Sequence, residues 1–301
     1  MLIQQRPDGQ PVKVPGFTKL MPMVSGTRTQ STIFLEQELQ LAHTMDFIKD
    51  YNKTRRPGTR RLSVFQIFLC ALGRTIGEKP KMNRFIMNYR YYQRNHISAA
   101  FVTKISLHED AEEVNIIIPL EPDETIDSLN EKFTVHVDNI KTGGSNTSDK
   151  SADIFGRLPV FILRLIIVIY KFLDNHNFVS GGMLRAFPFY STVFLANLGS
   201  VQLESPLHHL FDMGTNGIFI ALGVIQKEKY FDDDNTVQTR KKMKISFTYD
   251  DRIIDGLYAG KAIKLMKKLV ENPEMLVMKK EISEDERIKK GLTKKGSKLY
   301  T

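Results

Sequence analysis

The chain of 301 residues is nearly without cysteine: Cys70 stands alone. Neither a disulfide nor a thiolate metal site can be built from one thiol, and that economy suits a reducing cytoplasm. Cys70 lies in the apolar run Phe65 to Leu72, where a lone thiol reads as core rather than nucleophile. A secretory leader is also missing, since Met1 to Pro15 is polar and proline-rich instead of basic then apolar. No apolar run is long enough to span a bilayer. The longest, Leu158 to Leu173, is broken by Arg164 and Lys171. There is no internal repeat, and the glycine pairs at 143–144 and 181–182 lack the strand and helix of a phosphate loop. Asp232-Asp233-Asp234-Asn235 lacks the alternating ligands and closing glutamate of a calcium loop, so it reads as the exposed turn of a hairpin and no metal is expected.

What is present is a core-forming composition, 42% hydrophobic, with a formal charge of +9. That is enough for one extended domain. Much of the excess charge follows Lys279, where Lys289-Lys290, Lys294-Lys295 and Lys298 alternate with glycine and serine, as in a mobile extension. Interleaved aromatics are absent there, which argues against nucleic acid. Val160 to Tyr170 is apolar most of the way round a helix. Such a helix is expected to be buried, here between subunits, with lying on a membrane as the lesser reading.

Local periodicity places the other elements. Leu62 to Arg74 predicts a buried helix, Thr125 to Lys141 an amphipathic one, and Val114 to Leu120 a strand. Arg90 to Arg94 and Ile97 to Ile105 predict a hairpin bent at Asn95-His96, and Thr142 to Asp149 a polar loop. Met243, Ile245, Phe247 and Tyr249 alternate as in a half-buried strand, whereas Leu257, Ala259, Ile263, Met266 and Leu269 follow helical spacing up to Asn272-Pro273. Between strand and helix lies a polar turn with Asp250, Asp251, Arg252 and Asp255. Taken alone, Asp255 there is a helix cap.

Asp250-Asp251-Arg252-Ile253-Ile254-Asp255-Gly256 resembles the D-H-R-x-x-D-G active-site signature of the acyltransferase subunit of 2-oxoacid dehydrogenase complexes. More distantly it resembles H-x-x-x-D-G of chloramphenicol acetyltransferase. Further segments fit in order. Gly26-Thr27-Arg28 resembles the family's opening G-x-R, and Phe34 to Glu38 with the helix from Thr44 its first strand and helix. Pro80-Lys81-Met82-Asn83 resembles P-x-x-N, Thr192 to Gly199 resembles F-T-I-S-N-L-G, and Gly217 to Val224 the paired strand. The resemblance covers roughly residues 20–277. It implies an α/β fold, a chloramphenicol-acetyltransferase-like two-layer sandwich with a mixed sheet flanked by helices. Residues 1–19 are then an N-terminal extension and 278–301 a basic, mobile tail.

The departures concern the chemistry. At the family's catalytic histidine stands Asp251, and at its oxyanion-binding serine, next to Asn197, stands Ala196. A thiol with pKa near 8.5 gives its proton to histidine at a cost of about 2.7 kcal/mol and to an ordinary aspartate at about 6 kcal/mol. A lost oxyanion donor costs a further factor of about 10²–10³. Ser200 or Thr192 is the fallback donor, and His208 or His209, in the segment that lines the family's channel, the fallback base. His43, His96, His108, His136 and His176 are read as structural.

The resemblance implies an acyl-thioester such as acyl-coenzyme A as co-substrate, whose phosphates a basic surface favours, and a homotrimer with a site shared between adjacent subunits. It also implies a buried, bidentate Arg28–Asp255 pair beside Gly256. The roughly 20 residues before Gly26 hold no lipoyl domain, so acyl-carrier or dehydrogenase partners would be separately encoded. Two functions follow: acyl transfer to an acceptor not specified by the sequence, with Asp251 as a weak base, or a lapsed family member that serves assembly or regulation. Neither membrane nor nucleic acid is an expected partner.

Overall fold

The computed structural model describes residues 6–55, 60–104, 113–141 and 158–292. Its centre is a six-stranded mixed sheet in the order β2-β9-β8-β7-β5-β6. These strands are β2 (Thr32–Gln40), β5 (Ile97–Lys104), β6 (Glu113–Leu120), β7 (Val193–Asn197), β8 (Ile218–Phe231) and β9 (Val237–Asp250). The parallel pairs are β5 with β7 and β7 with β8; the other neighbours are antiparallel. One sheet face is covered by α2 (Ala42–Lys53), α3 (Val64–Glu78), α4 (Ile126–Lys141) and α7 (Gly256–Glu271), which together enclose the main core.

The expected strands and helices form where periodicity places them, for physical reasons visible at their ends. Ser63 begins α3 with a capping box closed by Gln66, whose Oε1 accepts from the Ser63 amide at 2.8 Å. From Gln66 to Gly77 that helix is buried, so propensity matters less than packing. Cys70 is fully buried there, and burial pushes its thiol up to about 12; it is a core residue. Asp232 closes the β8–β9 hairpin by accepting from the amides of Asp234 at 3.1 Å and Thr236 at 2.8 Å, as the sequence predicts.

Two expectations require correction. Arg90–Arg94 (β4) does not pair with β5. It joins β3 (Arg84–Met87) through Asn88-Tyr89, whose φ angles of 47° and 60° make a two-residue hairpin turn. Together with β1 (Gly9–Pro11) they form a second sheet, β1-β4-β3. Part of the N-terminal extension is therefore structural: Arg6 and Asp8 are buried. The tail is likewise structured as far as Leu292. Its helix α8 (Glu284–Lys289) docks through buried Arg287, which reaches Glu121 at 2.7 Å and Asp123 at 3.4 Å. Residues 293–301, the loop 142–149, His108 and Ile105 lie outside the described residues.

Val160–Asn175 is α5. In the protomer its outward side is open: Phe161 is 73% exposed, and only Asp174 is buried. The following short helix α6 (Gly181–Ala186) is capped by Ser180.

His96 gives the fold a measurable pH dependence. Burial, aided by the charge of Arg94, pushes its imidazole down to about 3. The unfolded chain takes up a proton below about pH 6.5 while the folded chain does not, so stability is complete above that pH and is lost as pH falls towards 3. Between about pH 7.5 and 5.5 this loss is on the order of 1.4 kcal/mol. In urea titrations His96→Gln is expected to lower the pH dependence by about that amount. An unchanged dependence would remove His96 from the account.

Candidate active site

The turn after β9 is fixed by a buried ion pair of its own. Asp250 receives Arg252 bidentately, Nε to Oδ1 at 2.9 Å and Nη2 to Oδ2 at 2.7 Å, and also accepts the Arg252 amide at 3.1 Å. Arg252 further donates to the carbonyl of Ser25 at 2.9 Å, which ties the turn to the segment after α1 (Gly16–Val24). Tyr91 closes it from β4 by donating to the Arg252 carbonyl at 3.0 Å. Asp251 is bound only by its backbone: its amide donates to Ser31 at 2.9 Å, and its side chain is exposed.

The Arg28–Asp255 pair is not formed. Asp255 caps α7, accepting the Tyr258 amide at 2.8 Å, and faces solvent. Arg28 is buried and donates to the carbonyls of Phe211 at 2.6 Å and Gly214 at 2.8 Å. Burial lowers its guanidinium from the ordinary value, and the charge of nearby Asp250 opposes that fall. Asp250 has thus taken the electrostatic place expected for Asp255. The helix-cap reading of Asp255 holds, because a carboxylate at the first turn is drawn to free amides.

Ala196 and Asn197 end β7. Both fallback hydroxyls near them are already committed. Ser200 donates to the Asn197 carbonyl at 2.7 Å, and Thr192 donates to Asn83 at 2.8 Å while accepting the Ser98 amide at 3.1 Å. Beside Asn197, Gly199 and Ser200 opens a cavity of about 390 Å³, whose other walls include Leu62, Val64 and Phe65. Gly199 is needed there, since a Cβ would come within 2.5 Å of the Gly223 carbonyl.

The sheet face away from the main helices carries a small aromatic cluster. Phe194, Phe219 and Leu210 are buried in it, with Ala196 and Phe211 against them. The segment 203–214 crosses this face, anchored at one end by Leu203 on the Val224 amide and at the other by Arg28. Midway, His208 stacks flat on Phe219, with 3.9 Å between ring centroids. Its Nδ1 lies 2.7 Å from the His209 carbonyl. A carbonyl only accepts, so Nδ1 carries the hydrogen and Nε2 keeps a lone pair. Burial lowers the His208 pKa, which holds the ring neutral. His209 bonds to the Leu210 carbonyl at 3.0 Å but is exposed.

These parts do not all meet in one protomer. Ala196 is level with Ala221, and Ala221 with Ser246. Asp251 lies five residues further along, which at about 3.3 Å per residue places it roughly 15–20 Å from Ala196. At the Asp251 end is a second cavity of about 410 Å³, lined by Arg28, Arg252, Tyr170, Tyr190 and Asp212 among others. Below it lies a buried network that sequence reasoning missed. Arg6 bridges Asp8 and Asp174, both at 2.9 Å, while Tyr190 donates to Asp174 at 2.6 Å. Arg94, fully buried, donates to the Tyr190 carbonyl at 2.6 Å and to Thr215. Its charges hold the second sheet on α5, which is a structural task. His43, His136 and His176 bond to Glu274, Lys132 and Phe172. Among the described residues no group of three or more His, Cys, Asp or Glu could hold a metal.

Comparison with known proteins bears on the family and the fold. Residues 191–278, which contain Ala196, His208 and the Asp250–Asp255 turn, match the family model for the catalytic domain of 2-oxoacid dehydrogenases acyltransferase. The chain is 32% identical over 89 residues to the lipoamide acyltransferase component of the branched-chain alpha-keto acid dehydrogenase complex of Arabidopsis thaliana, 29% of this chain and 18% of that protein. It is 46% identical over 46 residues, 15% of this chain and 11% of the relative, to the dihydrolipoyllysine-residue succinyltransferase component of the 2-oxoglutarate dehydrogenase complex of Staphylococcus aureus (strain USA300). The aligned stretch is less than a fifth of either relative's length.

Solved structures show the fold. A dihydrolipoamide acetyltransferase from Listeria monocytogenes, described as probable, superposes with a TM-score of 0.57 at 13% identity, covering 90% of this chain and 97% of that one. The cubic core of a pyruvate dehydrogenase multienzyme complex gives 0.58 at 12%, covering 89% and 95%. A chloramphenicol acetyltransferase gives 0.51 at 14%, covering 88% and 98%. The chain therefore has the chloramphenicol-acetyltransferase-like sandwich, and residues 191–278 are related to the 2-oxoacid dehydrogenase acyltransferase catalytic domain.

Proposed function

We propose, from the relation of residues 191–278 to an acyltransferase catalytic domain, that this chain transfers an acyl group from an acyl-thioester of the coenzyme A type at a site completed by a second copy. The observation that carries the reading is the roughly 15–20 Å between Asp251 and Ala196 along the strands. Each opens on the surface of one protomer, and a homotrimer would set the Asp251 turn of one copy against the Ala196 and His208 face of the next.

In this reading the thioester carbonyl lies over the Ala196 face. His208 is the base: Nε2 takes the proton of the attacking group, the neighbour's Asp251 carboxylate stabilises the imidazolium that forms, and as the C–S bond breaks the imidazolium returns the proton to the departing thiolate. That assignment suits both residues better than Asp251 as base, because the His208 ring is held in one direction by its stacking and its hydrogen bond whereas the Asp251 side chain is exposed. Ala196 contributes no donor to the oxyanion, which predicts a slow enzyme. The other reading, a lapsed family member retained for assembly, is favoured by one observation: Ser200 and Thr192 are both committed elsewhere.

Two measurements separate these. Light scattering at micromolar concentration is expected to give a trimer, and a monomer at that concentration would remove the shared site. Acyl-coenzyme A with a thiol acceptor is expected to turn over faster than the uncatalysed exchange; a trimer that binds coenzyme A without turnover supports the assembly reading.

A further inference from the structure

We infer that α1 and α5 together form a surface that docks on anionic lipid. On a helical wheel of about 100° per residue, Val168, Phe161, Phe172, Leu165 and Ile169 share the outward arc of α5. Each is at least half exposed, from 50% for Ile169 to 73% for Phe161. At the edge of that arc Arg164 and Lys171 lie side by side, both exposed. The inward arc is Ile162, Leu163, Ile166, Tyr170 and Asp174, all at least partly buried.

Charge decides what fits this face. The only carboxylate of α5, Asp174, is turned inward onto Arg6 at 2.9 Å and Tyr190 at 2.6 Å. No acid occurs in α1, whose exposed Phe17, Leu20 and Val24 repeat at helical spacing next to exposed Lys13 and Lys19. Both helices wall the 410 Å³ cavity, α1 through Pro22 and α5 through Tyr170, Lys171 and Asp174, so they flank one opening. Their exposed side chains are thus apolar with cations and no anions. Long stems let Lys and Arg reach headgroup phosphates while the aromatic and aliphatic chains enter the acyl boundary. Among the described residues no helix is long and apolar enough to cross a membrane, so this helix would lie in the interface plane.

The test is co-sedimentation of the full chain with vesicles of phosphatidylcholine alone or with one third phosphatidylglycerol. Binding to the anionic vesicles is expected, weakened by salt and weaker on phosphatidylcholine. The pair Phe161→Glu and Phe172→Glu should reduce it by roughly tenfold or more, and Arg164→Gln with Lys171→Gln by roughly fivefold for each cation. Circular dichroism shows whether the variants fold; if the phenylalanine pair does not, the exposed cation pair decides. The inference is overturned by no binding of the natural protein to anionic vesicles, or by binding that neither pair weakens. It is equally overturned if the phenylalanine pair lowers the oligomer mass without any vesicle binding, since the face would then belong to a second copy.

Discussion

His208→Asn is expected to lower acyl turnover by a factor on the order of 10²–10⁴, the usual contribution of a positioned general base. The reason is geometric. With Nδ1 hydrogen-bonded to the His209 carbonyl and the ring flat on Phe219, Nε2 is held in one direction in its neutral form. Asparagine offers no base there, while His209→Asn should leave turnover within a few-fold because that ring is exposed and does not stack on Phe219. Asp251→Asn should cost less than His208→Asn, roughly tenfold to a hundredfold, because the backbone carbonyl already fixes the tautomer and the carboxylate acts only on charge. Steady-state rates with one acyl-coenzyme A and one thiol acceptor check this ordering. Equal losses at His208 and His209 would mean that neither ring is the base.

Asp250→Ala should be the most damaging single change to the fold near the site. It leaves Arg252 buried without its bidentate partner and removes the carboxylate whose charge most offsets the burial of Arg28. Breaking a buried pair from one side costs about 3–5 kcal/mol, a fall in melting temperature on the order of 10 °C for a chain of this size. Asp255→Ala removes only a helix cap and should cost about 1 kcal/mol. Thermal unfolding of the two variants side by side tests the reassignment of the ion pair. A larger loss at Asp255 would restore the pairing implied by the family resemblance.

That reassignment shows where the sequence was legible. Strand, turn and helix from Met243 to Leu269 could be read because period and capping are local, and the same holds for Ser63 with α3 and Asp232 in its hairpin. Arg28 could not be paired correctly, because its partners are the carbonyls of Phe211 and Gly214, which no side-chain pattern reveals. The network of Arg6 and Asp174 joins residues 168 apart in sequence. β4 was misplaced because Asn88-Tyr89 bends without a glycine, whereas Asn95-His96 offered a more familiar bend. His208 was visible only as one of two adjacent histidines, and its stacking on Phe219 depends on the path of 203–214 over the sheet. Side-chain identity gave the related family; the commitments of Ser200 and Thr192 are tertiary facts.

Turnover by mixed assemblies tests the shared site most directly. Asp251→Asn and His208→Asn are co-expressed in equal amounts with different tags, and assemblies carrying both are isolated. If each site takes Asp251 from one copy and His208 from its neighbour, every trimer that carries both variants has about a third of its sites with both natural side chains. The mixed protein should then turn over acyl-coenzyme A at about a third of the natural rate, well above either variant alone. Activity no higher than that of the better single variant, with the natural protein active beside it, would contradict a site built between copies.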